Sequence, residues 1–111
     1  MKTRTFEAGV RVVRLVEALG KSSEPQVIGR QLLRSGTSIG ANYRAAMRAR
    51  SRAGFMAKLG IVEECDESIY WIDLLVALDF LKENRASALR DELDQTIAMV
   101  ITSIKTARKN R

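Results

Sequence analysis

The sequence predicts an all-α fold, an antiparallel up-down-up-down four-helix bundle in which residues 1–111 form a single domain. Three observations predict it. Four segments carry apolar residues at spacings of three and four, and the connections between them are short. No strand-length window alternates apolar and polar residues beside hairpin turn chemistry. A chain of 111 residues with 46% hydrophobic content can fill one core without disulfides, and its single proline leaves no proline-rich linker.

The first helix is expected over residues 5–19. Phe6, Val10, Val13 and Val16 mark its stripe, Val12, Leu15 and Leu19 widen it, and Gly20 stops it. Ser23 and Gln26 have the spacing of a capping box and Pro25 suits a first turn, so the second helix is expected over 24–47. Its face is Ile28, Leu32, Ser35, Ile39 and Tyr43. The middle of this helix is small: Ser35, Gly36, Ser38, Gly40 and Ala41. Each glycine there costs up to about 1 kcal/mol relative to alanine, so close backbone packing is the expected compensation.

The third helix, expected over 52–82 with Ser51 as its N-cap, places Phe55, Leu59, Val62, Asp66, Ile69, Ile72, Leu75, Leu78 and Leu81 in near-heptad alternation. The fourth is expected over 86–108, capped by Asn84 or Ser87. Leu89, Leu93, Ile97, Val100, Ile101 and Ile104 form its stripe. Asp91 and Glu92 are read into its first turn and Lys105, Arg108 and Lys109 into its last, matching the helix dipole at both ends.

Histidine is absent, which removes the usual general base and the commonest zinc ligand. No catalytic residue, metal or cofactor is expected, and the chain is read as non-enzymatic. Cys65 is the lone cysteine, without a CxxC partner, and is read as a buried structural thiol suited to a reducing cytoplasm. Charges at Glu7, Arg11, Arg14 and Glu17 interrupt any apolar run long enough for a signal peptide or membrane span, so a cytoplasmic location is expected.

Charge is uneven within a net +6. Residues 1–58 hold twelve Lys/Arg against three Asp/Glu, residues 59–84 one against seven, and residues 85–111 six against three. The densest basic run is Arg44, Arg48, Arg50, Arg52 and Lys58, at the junction of the second and third helices. Arginine pairs bidentately with phosphate, so this end could grip a nucleic-acid backbone with salt-steep affinity. It could equally be a solvated cap, or a partner for the acids of a neighbouring subunit. Base-specific reading has no motif behind it, and 5% aromatic content leaves few stacking platforms.

Glu63, Glu64, Asp66 and Glu67 form an acidic run. Without histidine a di-metal bundle site lacks its ligands, and ion pairs to Arg34, Arg44 or Arg48, or across a subunit interface, are expected instead. The run Arg34-Ser35-Gly36-Thr37-Ser38-Ile39-Gly40 lacks the lysine and spacing of a phosphate loop and is read as a helix-contact seam. Of Tyr70 and Trp71, one ring is expected in the core and the other outward; a subunit contact and ordinary packing are both open.

The stretch Leu32 to Leu75 resembles the four-helix bundle family named for proteins encoded in intervening sequences of bacterial 23S ribosomal RNA genes. The carriers are Arg34 through Asn42, then Ser51, Phe55, Lys58 and Leu59, then Glu63, Glu64, Glu67, Tyr70 and Trp71. The first and fourth helices match in pattern and length only, and Gly54 departs from the acidic residue of many relatives. The family includes accessory variability proteins of diversity-generating retroelements, which resemble pentameric barrels whose basic surface engages nucleic acid and a reverse transcriptase. The resemblance therefore implies a homo-oligomer, a pentamer, with Arg34, Ser35, Gly36, Ser38, Gly40, Asn42, Glu63, Glu67, Tyr70 and Trp71 at helix or subunit contacts. The expected function is an accessory protein that binds RNA, or DNA, through its arginine-rich end. The alternative is an adaptor oligomer that binds a protein such as a reverse transcriptase.

Overall fold

A computed structural model describes residues 1–109. Its elements are α1 (Lys2–Glu17), α2 (Ser23–Arg48), α3 (Ser51–Ala77) and α4 (Glu83–Lys109), packed into a body of 50 × 20 × 19 Å. Each neighbour runs antiparallel. Gly9 and Gly40 of α1 and α2 lie against Gly36 and Thr5, Ser35 of α2 meets Ser68 of α3, and Lys58 of α3 meets Ser103 of α4. The α2–α3 and α1–α2 seams are the most extensive, and α1 meets α4 least. Val12, Leu32, Ile39, Ile61, Cys65, Ile72, Leu75 and Leu93 form the centre of the core.

Close approach decides which face of α1 points inward. A Cβ at Gly36 would stand 2.6 Å from the Val12 side chain, and one at Gly40 3.5 Å from the Thr5 carbonyl. Only small or compact residues fit such a seam, so Thr5, Ala8 and Val12 are buried. The expected stripe is therefore rotated: Phe6 is 69% exposed, and Val10 and Val13 are also exposed. Val16, Leu15 and Leu19 are partly buried on the core as expected. In α3 the inward line is Gly54, Ile61, Cys65, Ser68, Ile72 and Leu75, with Phe55, Asp66 and Leu78 outside. On α4, Ile101 also turns outward. The buried hydroxyls are satisfied locally, with Thr5 Oγ1 donating to the Lys2 carbonyl (3.2 Å) and Thr96 Oγ1 to the Glu92 carbonyl (2.9 Å).

The helix ends differ from their expected positions. α1 begins at Lys2, three residues early, with the Thr5 amide already bonded to the Met1 carbonyl. No capping box forms at Ser23: Ser22 is the N-cap without a side-chain cap bond, and Gln26 Nε2 donates instead to the Gly20 carbonyl. Arg50, not Ser51, is the N-cap of α3. That helix stops at Ala77 rather than 82 because Asp79 adopts the left-handed region (φ 64). The Phe80 amide then bonds the Leu75 carbonyl and the Asp79 amide the Val76 carbonyl, a Schellman closure that returns Phe80 to the core. α4 starts at Glu83, so Asn84 and Ser87 are inside the helix and Asp91 and Glu92 lie beyond its first turn.

Glu92 has a different role. Arg4 of α1 pairs with it and also donates to Gln95, tying together the neighbouring helices whose seam is the slightest. The hydrogen bonds from Arg4 hold the Glu92 carboxyl below its ordinary value near 4.5. A carboxylate whose folded value is depressed stabilises the fold above its unfolded value, and that stabilisation fades as pH falls through the folded value.

Two outcomes follow from this packing. Gly36→Ala is expected to lower the urea unfolding free energy by about 1–2 kcal/mol despite its gain in helix propensity. In a Val12→Ala background the same change should become neutral or stabilising. Glu92→Gln is expected to lower the melting temperature at pH 7 and to match the parent once the pH falls below the carboxylate's folded value, as read by thermal melts across pH.

Candidate nucleic-acid interface

Arg48, Arg50, Arg52 and Lys58 lie where α2 passes into α3, and Arg44, one turn back on α2, lines the groove between α1 and α2. α2 ends at Arg48, and Ala49 and Arg50 are extended (ψ 157 and 168) before α3 begins at Ser51. Gly54 is buried against this turn, where a Cβ would make ordinary van der Waals contact with the Ala46 and Ala49 carbonyls, at 3.5 and 3.7 Å. The α3 N-terminus has neither a side-chain cap bond nor an acidic residue in its first turn, so its positive dipole end adds to the local charge.

The fold brings further cations to the same end. Antiparallel pairing of α3 and α4 sets the last turns of α4 beside the first turns of α3, with Lys58 Nζ 2.9 Å from Ser103 Oγ. Lys105, Arg108 and Lys109 thereby join the cluster. Sequence reasoning assigned them only to the helix dipole, although antiparallel order already implied their position. Between Arg44 and Val62, and between Gln95 and Lys109, stand eight Lys/Arg and no Asp or Glu.

Among the described residues none of these eight is in an ion pair; the pairs are Arg4–Glu92, Arg34 with Glu64 and Glu67, and Arg90 with Asp73 and Glu83. Of the three arginines offered as partners for the acidic run, Arg34 pairs with it and Arg44 and Arg48 do not. Register explains the difference. Ser35 lies opposite Ser68 and Asn42 opposite Gly60, so the acids of 63–67 face Arg34, and Arg44 is roughly 15 Å further along α2.

The contact residues divide by direction. Ser35 Oγ and Ser68 Oγ share a buried 2.8 Å hydrogen bond, Gly36 and Gly40 receive α1, and the Asn42 side chain lies over Gly60. Ser38 Oγ donates to the Arg34 carbonyl (2.7 Å). Glu67 accepts from Arg34 and from Trp71 Nε1 (3.2 Å), which orients the half-buried indole against the core. Tyr70 meets it edge-on with ring centres 5.0 Å apart and is 58% exposed; Glu63 is exposed as well. Seven of the ten residues thus make contacts between elements of the chain or brace them, whereas Glu63 and Tyr70 face outward and Ser38 bonds within its own helix.

At the cationic end a cavity of about 730 Å³ opens between α2, α3 and α4. Ala46, Met47, Ala49, Gly54, Phe55, Ile104 and Ala107 form its apolar lining, and Arg52, Lys58 and Arg108 its charged part. No α1 residue reaches it. On the outer side of α1 and α2 a second groove passes Phe6, Val10, Val13, Gly40 and Tyr43. Among the described residues no cluster of three His, Cys, Asp or Glu could hold a metal ion, and no helix is long and apolar enough to cross a membrane.

A model of the 23S rRNA-intervening sequence protein family matches residues 1–102. The chain is also similar to the crystal structure of a protein of unknown function from the S23 ribosomal protein family of Bacteroides thetaiotaomicron. The two are 32% identical, the match covers 94% of this chain and 97% of that one, and the TM-score is 0.85. No curated protein matches the chain.

Cys65 lies at the centre of the core. Burial pushes its thiol up to about 12, with the neighbouring Glu64 charge adding to the effect. It is therefore expected to resist a thiol-specific chromogenic reagent at pH 8 in the native state and to react fully in denaturant.

Proposed function

The chain belongs to the 23S rRNA-intervening sequence protein family, and from that premise we propose that it is a non-enzymatic, cytoplasmic homo-oligomer that binds structured RNA through the cationic end of its bundle. The observation that carries this reading is the set of eight Lys/Arg gathered from three helices with no carboxylate among them. Like charges crowded without internal partners repel one another, and a phosphate polymer relieves that repulsion while releasing its own counterions.

Residues 44–58 contain no Asn, Gln, Asp or Glu, so their polar recognition rests on Arg and Lys, which pair with phosphate and can also meet a guanine edge. The oligomer is supported by Phe6, Val10 and Val13, which line one outward groove on α1 and α2, and by the exposed Tyr70 on α3. The pentameric state comes from the family resemblance. The non-enzymatic reading is supported by the absence of histidine and by a lone cysteine that is buried and held protonated. In the second reading the same basic end meets an acidic protein surface, such as that of a reverse transcriptase.

The test is a salt titration of a structured RNA and a duplex DNA of equal length, with mass measured by light scattering in the same buffers. Replacing Arg44, Arg48, Arg50 and Arg52 together by alanine is expected to weaken RNA binding at least tenfold, and to make the log–log salt slope shallower by about four. An oligomer whose RNA affinity ignores both salt and these four changes would overturn the reading. A partner that stays bound after nuclease treatment would favour the adaptor.

A further inference from the structure

We infer that the cavity at the cationic end receives an unpaired nucleotide, with the base on its apolar lining and the flanking phosphates on Arg52, Lys58 and Arg108. The inference rests on the nucleic-acid reading above and narrows its ligand to a looped or bulged segment. Its basis is the juxtaposition of two surfaces that a paired backbone cannot use together. Arg52, Lys58 and Arg108 come from α3 and α4, and beside them Met47, Phe55 and Ile104 form an apolar recess.

A duplex presents phosphates and sugars outward and keeps its bases stacked inside. Gripped here, it would satisfy the cations and leave the recess wet. An unpaired nucleotide carries an anion and a flat, apolar-faced ring within one residue, which is the combination this recess and its cations complement. Phe55 is 37% exposed and Met47 57%, so both present apolar surface at the opening instead of completing the core. Phe55 is the one aromatic side chain among the eight-cation segments, and stacking on a ring is tolerant of base identity.

An acidic amphipathic helix is a different occupant. It needs an apolar trough several turns long to seat residues at i, i+3, i+4 and i+7. Here the lining runs along α3 only from Ser51 to Lys58, roughly two turns, and three of its residues are cations.

The experiment compares a hairpin RNA bearing an unpaired loop with a fully paired RNA of equal phosphate number, both titrated at fixed salt. Phe55→Ala and the cavity-filling Ala107→Trp are each expected to weaken hairpin binding roughly fivefold or more and to leave the paired RNA unchanged. Phe55→Trp should retain the parent's preference, and Arg52→Ala should weaken both RNAs. Phe55 and Ala107 are exposed, so circular dichroism melts should match the parent. If Phe55→Ala and Ala107→Trp both leave the hairpin-to-paired ratio unchanged while Arg52→Ala weakens both RNAs, the cavity inference falls and phosphate contact stands. If the parent binds neither RNA, both readings fall. If an acidic amphipathic peptide binds with the same Phe55 dependence and the RNAs are not distinguished, the cavity belongs to a protein partner instead.

Discussion

At Gly36 there is no room for a single added carbon: the Val12 side chain occupies the space where a Cβ would stand. That contact and the hydroxyl pair of Ser35 with Ser68, one residue away on α2, set the helix between two neighbours at once. A glycine in mid-helix costs up to about 1 kcal/mol in propensity, and the return is the van der Waals contact and buried apolar area of two close seams. Much else follows from this placement. Because α1 approaches α2 through Thr5, Ala8 and Val12, Val10 and Val13 are turned outward and Phe6 is left on the surface.

The same register distributes the charge. With Ser35 opposite Ser68, Arg34 falls within reach of Glu64 and Glu67, and the acidic run is engaged on its α2 side. Glu64 is the tighter case. Its Oε2 is buried without a hydrogen bond and has Arg34 at 3.5 Å, so the pair contributes more to holding register than to net stability. The arginines further along α2 are out of reach of those acids. Two helix termini and one helix start then meet with only positive side chains, so the bundle concentrates its +6 at one end.

The polar interior is small, and apart from Glu64 Oε2 its buried side-chain polar atoms among the described residues are hydrogen-bonded. The buried hydroxyls bond within the protein, the thiol is held protonated, and the Trp71 indole is anchored to Glu67. The cavity of the cationic end and the apolar α1 groove share no lining residue, and Arg44 of the basic run lines the groove. The nucleic-acid contact and the subunit contact proposed above would therefore use adjoining surfaces.

The sequence by itself determined the fold class, the number and order of the helices, the seam at Ser35, Gly36 and Gly40, and the basic run from Arg44 to Lys58. Periodicity, small residues and charge are local properties, and a reader of the chain can add them up. Only the tertiary structure decided the inward face of α1, the stop at Asp79, and the gathering of Lys58, Arg108 and Phe55 around one cavity. Periodicity alone cannot tell Phe6 from Thr5 as the core residue, because the answer depends on how closely α2 approaches. Apolar residues at Leu78 and Leu81 likewise continue the α3 pattern past its end, and it takes the hydrogen bonds from Asp79 and Phe80 back into the last turn to end the helix. Opposite charges leave Arg34, Arg44 and Arg48 all open as partners for the acidic run, and the choice of Arg34 follows from antiparallel register, a relation between two helices that neither one's sequence contains.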